Sequence, residues 1–130
     1  MKKTLLYLFI LMSSLPLYAQ DFNDLVFGSD STLDVVSWNI EWFPKNGQST
    51  INDVKAIVLA LDAEILAVQE IDNKSSFQSL INELDGYEGY YINDEYQGLA
   101  YLYKSSEIQI ESNYEIYTND WRQFPRAPLV

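Results

Sequence analysis

Cysteine and histidine are both missing from this chain of 130 residues. Without cysteine there is no disulfide framework, so stability has to come from packing or from a bound metal, and no lipid-modified cysteine can follow the N-terminal segment. Basic residues are scarce: 8 Lys and Arg stand against 19 Asp and Glu, a formal net charge of −11. They form no cluster, which excludes binding a polyanion through a broad basic surface and counterion release. A phosphate-bearing ligand would have to be held by a bound cation and a few placed donors. The chain also lacks repeats and low-complexity tracts. Its last residues, Phe124-Pro125-Arg126-Ala127-Pro128-Leu129-Val130, enter an apolar run and stop inside it. Domains usually finish a last strand or trail off in polar residues, so this ending, with the missing histidine, reads as a truncated domain.

What is present begins with a leader. Lys2 and Lys3 precede an apolar run from Leu5 to Leu17, broken only by Ser13, Ser14 and Pro16, and Leu17-Tyr18-Ala19-Gln20 follows. A basic start, an apolar core shorter than the roughly 20 residues that span a bilayer, and a small exit residue describe a secretory signal peptide over residues 1–19. The expected cut falls after Ala19, although the bulk of Leu17 could shift it; the alternative is an uncleaved membrane anchor. Removing residues 1–19 leaves 111 residues with a formal charge of −13, room for one small domain. The expected product is a secreted or periplasmic monomer with no stable membrane association after signal cleavage.

Residues 20–32 are a polar lead-in, and residues 33–130 carry the periodicities of a folded domain. Leu33 to Ile40 is rich in Val, Ile and Trp and predicts a buried strand. Phe43-Pro44-Lys45-Asn46-Gly47 predicts a loop. Thr50 and Asp53 have capping-box spacing, and Ile51, Val54, Ile57, Val58 and Leu61 share one helical stripe. Ile65 to Val68 predicts a second strand. Phe77, Leu80, Ile81 and Leu84 repeat at helical spacing, with Gly86 placed as a C-cap. Strand, helix, strand, helix in this order predicts parallel strands covered by helices. Leu99 to Tyr103 and Glu107 to Tyr117 read as strands joined by a Lys104-Ser105-Ser106 turn. Ile108 and Ile110 alternate there with Glu107, Gln109 and Glu111, the pattern of a strand with one wet face. The many tyrosines read as sheet packing rather than a stacking platform for bases. The class is α/β with mixed strands.

Asn39 and Glu41 stand at the end of the first expected strand, in Ser37-Trp38-Asn39-Ile40-Glu41-Trp42-Phe43, and Glu70 at the end of the second, in Ile65-Leu66-Ala67-Val68-Gln69-Glu70. Ligands of open α/β sheets bind beyond the carboxyl ends of parallel strands. An amide and a carboxylate delivered there make a hard-oxygen site suited to Mg²⁺, which takes one or two carboxylates and completes its shell with water and phosphate oxygens. The same residues can be read structurally, with Glu70 as a helix-start acid and Asn39 as a turn former.

The wording of these segments resembles the endonuclease/exonuclease/phosphatase superfamily, the DNase I-like fold. Members open with a strand ending in Trp-Asn or Phe-Asn, here Val35-Val36-Ser37-Trp38-Asn39-Ile40. A helix and a strand then end in Gln-Glu, here Ala63-Glu64-Ile65-Leu66-Ala67-Val68-Gln69-Glu70. Gly98-Leu99-Ala100-Tyr101-Leu102-Tyr103-Lys104 is similar to the next central strand, and Phe124-Pro125-Arg126-Ala127-Pro128-Leu129 to the Arg-x-Pro segment. Each motif is short; four in the same order are fairly specific.

The resemblance implies a four-layer α/β sandwich of which about the first half is present. It implies Glu70 as the principal metal-binding carboxylate, Asn39 as an amide supporting metal and scissile phosphate, Glu41 as a second acid found in some relatives only, and Arg126 as a phosphate-side arginine. Gln97 departs from relatives like DNase I, which carry an acid there to orient a catalytic histidine; Glu95 is nearby. The implied chemistry is Mg²⁺- or Mn²⁺-assisted hydrolysis of a phosphoester. The expected substrate is nucleic acid or another phosphoester, which makes the protein most simply an endonuclease. A phosphatase or sphingomyelinase-like phospholipase of the same family is the alternative, and a non-catalytic binding module on the same fold is a third. The family takes its His–Asp general base from its C-terminal half, so these residues by themselves are expected to be inactive.

Overall fold

The computed structural model describes residues 22–25, 27–92, 98–123 and 127–130. The leader over residues 1–19, together with Glu95, Gln97 and Arg126, lies outside the described residues. Among the described residues, no helix is long and apolar enough to cross a membrane.

The β-branched and aromatic run that opens the domain forms β1, Val35–Phe43, which continues past the expected end at Ile40 and is not the buried strand expected, since Val35, Ser37 and Asn39 are exposed along one face. A tight turn, with the Gly47 N–H donating to the Pro44 carbonyl at 3.0 Å, leads into α1, Gln48–Leu61. Helix α1 starts at this turn rather than at Thr50, so the expected capping box does not form. Gly47 occupies the N-cap without a side-chain hydrogen bond, and Thr50 Oγ1 accepts from the Asn46 N–H at 3.0 Å. The apolar stripe is as expected: Ile51, Val54 and Val58 are buried, with Ile57 and Leu61 half-buried beside them.

β2 follows over Ile65–Ile71, then α2 over Lys74–Glu83. Asn73 caps α2, its side chain accepting from the Ser76 N–H at 2.9 Å, which satisfies one of the helix's orphan donors. Helix α2 ends at Leu84 in extended backbone, so Gly86 is not its C-cap; the φ of 81° at Gly86 serves the turn into β3, Tyr87–Tyr91. That strand was not legible in the sequence. β4, Gly98–Lys104, completes a sheet in the order β1-β2-β4-β3, with β1 and β2 parallel and the other pairings antiparallel. The expected strand over Glu107 to Tyr117 does not form. Its alternation is real, with Ile108 and Ile110 half-buried between exposed neighbours. However, among the described residues its backbone makes turn bonds at its two ends, Glu107 and Ile108 to the Lys104 carbonyl and Asp120 to the Tyr117 carbonyl, and otherwise pairs around an isolated Glu115–Leu129 bridge, through Tyr114 with Val130 and Ile116 with Pro128.

The helices cover one face of the sheet. Phe43, Leu66, Val68, Ile71, Phe77, Leu80 and Leu102 are fully buried there, with Val36 and Trp38 packed against them. The other face carries Ser37, Ala67 and Tyr101 in register, and Val35 at its rim is 58% exposed. The sheet tyrosines do pack: Tyr87 is buried, Tyr91 lies 6.0 Å from the Phe77 ring, and Tyr101 Oη donates to the Leu129 carbonyl.

At the end of the sheet remote from Glu70, Glu64 ties three segments together. It is 8% exposed, and accepts from the Asp34 N–H at 2.7 Å and from Lys104 Nζ at 2.9 Å. Lys104 also pairs with Asp62 at 3.0 Å. The Asp34 hydrogen bond, then that from Lys104, hold the Glu64 carboxyl below its ordinary value of 4.5 despite burial. Burial opposes the charge on Lys104, yet the hydrogen bonds it donates to Glu64 and Asp62 outweigh it and raise the lysine. Burial also pushes Tyr87 up to about 12. Because Glu64 binds its proton less readily folded than unfolded, its contribution is complete above about pH 4.5 and is lost as pH falls through the depressed folded value. Thermal melts from about pH 5 downward should therefore show a falling Tm that flattens in Glu64→Gln; parallel curves for the two proteins would remove Glu64 from this role.

Candidate active site

The parallel ladder between β1 and β2 is regular up to Asn39 opposite Gln69, and the next pair is Phe43 opposite Ile71. Ile40, Glu41 and Trp42 therefore face the single residue Glu70. On the other side of β2, Gln69 pairs with Leu99 and Ile71 with Gly98, so Glu70 is again the extra residue. Both strands bulge at the same level, at the carboxyl end of the parallel pair. Bulges break the alternation of side chains and re-aim them. Here Ile40 and Phe43, three positions apart, are both buried.

The backbone records the cost. Five described non-glycine residues have positive φ, and three of them are here: Glu41 at 42°, Trp42 at 55° and Glu70 at 66°. Such conformations cost about 1–3 kcal/mol each and persist where the surroundings over-determine them, which is most often at functional sites. The surroundings are visible. Asn39 Oδ1 accepts from the Glu41 N–H at 2.9 Å. Phe43 is completely buried and meets Phe77 edge-on at 6.3 Å. The Phe43 carbonyl accepts from the Asp72 and Asn73 N–H groups at 2.9 and 3.1 Å, which joins the end of β1 to the segment after Glu70. Gln69 Nε2 donates to Ala67 O at 2.8 Å and to Ser37 Oγ at 3.3 Å, bridging back to β1. Opposite Ile71, a Cβ on Gly98 would stand 3.0 Å from the Tyr91 ring and 3.2 Å from the Ile92 carbonyl, tighter than ordinary contact, so glycine eases the approach of the end of β3 to β4.

The structure thus brings Asn39, Glu41 and Glu70 to one edge of the sheet, as their positions in the sequence predicted. Asn39 and Glu41 are exposed and Glu70 is half-buried. Glu41 is paired with Lys45 Nζ at 2.5 Å, a contact that sequence reasoning missed although the i, i+4 spacing was there to see. Arg126 cannot be placed, since it lies outside the described residues. Among the described residues, no group of three or more His, Cys, Asp or Glu is arranged to hold a metal ion. The donors placed at this edge are hard oxygens, carboxylates and an amide, with no soft ligand among them. That set fits Mg²⁺ or Mn²⁺, which need one or two carboxylates when substrate oxygens and water fill the remaining positions. A cleft of about 550 Å³ lies elsewhere, between Tyr101 and Tyr103 of the second sheet face and the Ile108–Asn113 segment. None of the three site residues lines it.

The model of the Endonuclease/Exonuclease/phosphatase family matches residues 36–126, which include both bulged strand ends. No curated protein matches the chain. Among solved structures, a humanized D. rerio TDP2 carrying 14 mutations is similar with a TM-score of 0.56 and 16% identity, over 65% of this chain and 35% of that one. The human Nocturnin catalytic domain with bound sulfate anion is similar with a TM-score of 0.51 and 20% identity, over 65% of this chain and 37% of that one. The chain therefore spans little more than a third of the length of these structures. At such identities the likeness shows the fold, which is DNase I-like. With a family model matched over more than half its length, the chain belongs to the endonuclease/exonuclease/phosphatase family, whose members are phosphoesterases.

Proposed function

We propose that the protein is a secreted, divalent-metal-dependent phosphoesterase, and within that class a nuclease that hydrolyses phosphodiester bonds. The observation that supports this most is the doubled bulge: three left-handed, non-glycine residues, Glu41, Trp42 and Glu70 itself, stand with Asn39 at the carboxyl end of the parallel strands. Strained backbone concentrates at functional sites, and the carboxyl ends of parallel strands are where ligands of such sheets bind.

Glu70, with the amide oxygen of Asn39, would hold Mg²⁺ or Mn²⁺. When bound, the ion supplies positive charge to the phosphoryl oxygens and lowers the pKa of coordinated water. The chain's own residues then have limited tasks. Asn39 orients the phosphate while its Oδ1 fixes the Glu41 backbone. The Phe43 carbonyl, bonded to Asp72 and Asn73, keeps the two strand ends from separating. In the net reaction a water oxygen bonds to phosphorus, one P–O ester bond breaks, and the departing alkoxide takes a proton.

The test uses the full-length secreted protein. Its mass should place the mature N-terminus at Gln20, and it should cleave DNA or RNA with Mg²⁺, lose that activity to a chelator, and regain it when Mg²⁺ returns. Hydrolysis confined to phospholipid or to phosphomonoesters would move the assignment to a phospholipase or phosphatase. Chelator-insensitive cleavage or a retained Met1 would overturn metal dependence or export respectively.

A further inference from the structure

We infer that Lys45 takes hold of the substrate phosphate from the β1 side, and that Glu41 is its keeper rather than a metal ligand; this rests on the phosphoesterase reading above. A chain with an excess of acid needs a placed cation near any phosphate site. The described cations are mostly committed elsewhere. Lys55 pairs with Glu83 between the helices, Lys104 is fixed to Glu64 and Asp62 at the far end of the sheet, and Arg122 lies over the Trp121 ring. Lys74 stands over Tyr91. Lys45 differs because its partner belongs to the strand end that carries Asn39.

The connection is short and continuous. Asn39 Oδ1 accepts from the Glu41 N–H at 2.9 Å, and the Glu41 carboxylate pairs with Lys45 Nζ at 2.5 Å. The base of the lysine is held by the Pro44–Gly47 turn, whose preceding residue, Phe43, is locked in the core and bonded to the segment after Glu70. The backbone of Lys45 is therefore fixed relative to both Asn39 and Glu70. Its side chain is 54% exposed and that of Glu41 67%. Ion pairs so exposed contribute little and exchange readily. An arriving phosphate can replace the Glu41 carboxylate as the partner of Lys45, and the freed acid returns to water at little cost. With no phosphate present, the pair keeps the ammonium poised at the strand end.

The two halves of this assignment make opposite predictions for adjacent residues. Binding of inorganic phosphate to the full-length protein at saturating Mg²⁺ should weaken about tenfold in Lys45→Met, the scale of losing one charge-assisted hydrogen bond, and should stay near the native value in Lys45→Arg. Glu41→Gln should bind phosphate more tightly, since the competitor is gone, while its Mn²⁺ affinity stays unchanged. Phosphate binding unaltered in Lys45→Met would overturn the inference alone. Loss of Mn²⁺ affinity in Glu41→Gln would return Glu41 to the metal and overturn its role as keeper. If the native protein bound no phosphate with Mg²⁺ present, the phosphoesterase reading itself would fall, and this inference with it.

Discussion

Glu70→Gln is expected to lower metal-dependent hydrolysis by on the order of 10²-fold or more, the scale of removing one preorganised electrostatic contributor. The substitution keeps the shape of the side chain and deletes the charge. It leaves the backbone to adopt the same φ of 66° within the bulge, so an effect on turnover can be separated from an effect on folding. Because the defect lies in metal affinity, raising Mg²⁺ should restore part of the rate. Asn39→Ala should also damage turnover, but with less rescue by metal. The amide acts on the phosphate and on the Glu41 backbone, to which its Oδ1 is bonded at 2.9 Å. Kinetics across a Mg²⁺ titration distinguish the two patterns. Native metal-dependent activity in Glu70→Gln would remove the proposed active site altogether.

Phe43→Ala is expected to cost about 3–5 kcal/mol of stability, the range for truncating a large core aromatic, against roughly 5–15 kcal/mol for a typical domain in total. Phe43 is completely buried, meets Phe77 edge-on at 6.3 Å, and is the last residue of β1. Its position also decides the site: only by turning Phe43 into the core does the bulged end of β1 bring its carbonyl to the Asp72 and Asn73 N–H groups. Urea unfolding should show a lower midpoint with a nearly unchanged slope, and Phe43→Leu should recover most of the loss. A change below about 1 kcal/mol, well under the range for such truncations, would mean that the bulge is held by something other than this anchor.

The comparison between sequence and structure divides along a physical line. The stripe Ile51, Val54 and Val58 was legible because helical periodicity is a property of neighbouring residues, and these are the residues that α1 buries. The run before Asn39, rich in Val, Ile and Trp, gave β1 because strand propensity is likewise a property of local composition. The Ile108 and Ile110 alternation was equally clear and equally real in its burial, yet produced no strand. A strand needs a partner edge, and the alternation of one segment says nothing about whether an edge is within reach. β3 was missed in the opposite sense: Tyr87–Tyr91 becomes a strand because β4 pairs with it. The misplaced helix caps follow from turn geometry, since Gly47 starts α1 and Leu84 ends α2 where the chain bends.

The sequence by itself determined the family, the α/β class, and the two strand ends where Asn39, Glu41 and Glu70 would stand, because those rest on residue identity and order. Tertiary structure decided how these residues are presented. The coincident bulges, the left-handed backbone at Glu41, Trp42 and Glu70, and the pairing of Glu41 with Lys45 all depend on what lies across the ladder and beneath it. An L-residue does not choose positive φ on its own account; packing around Phe43 and pairing to β4 impose it here.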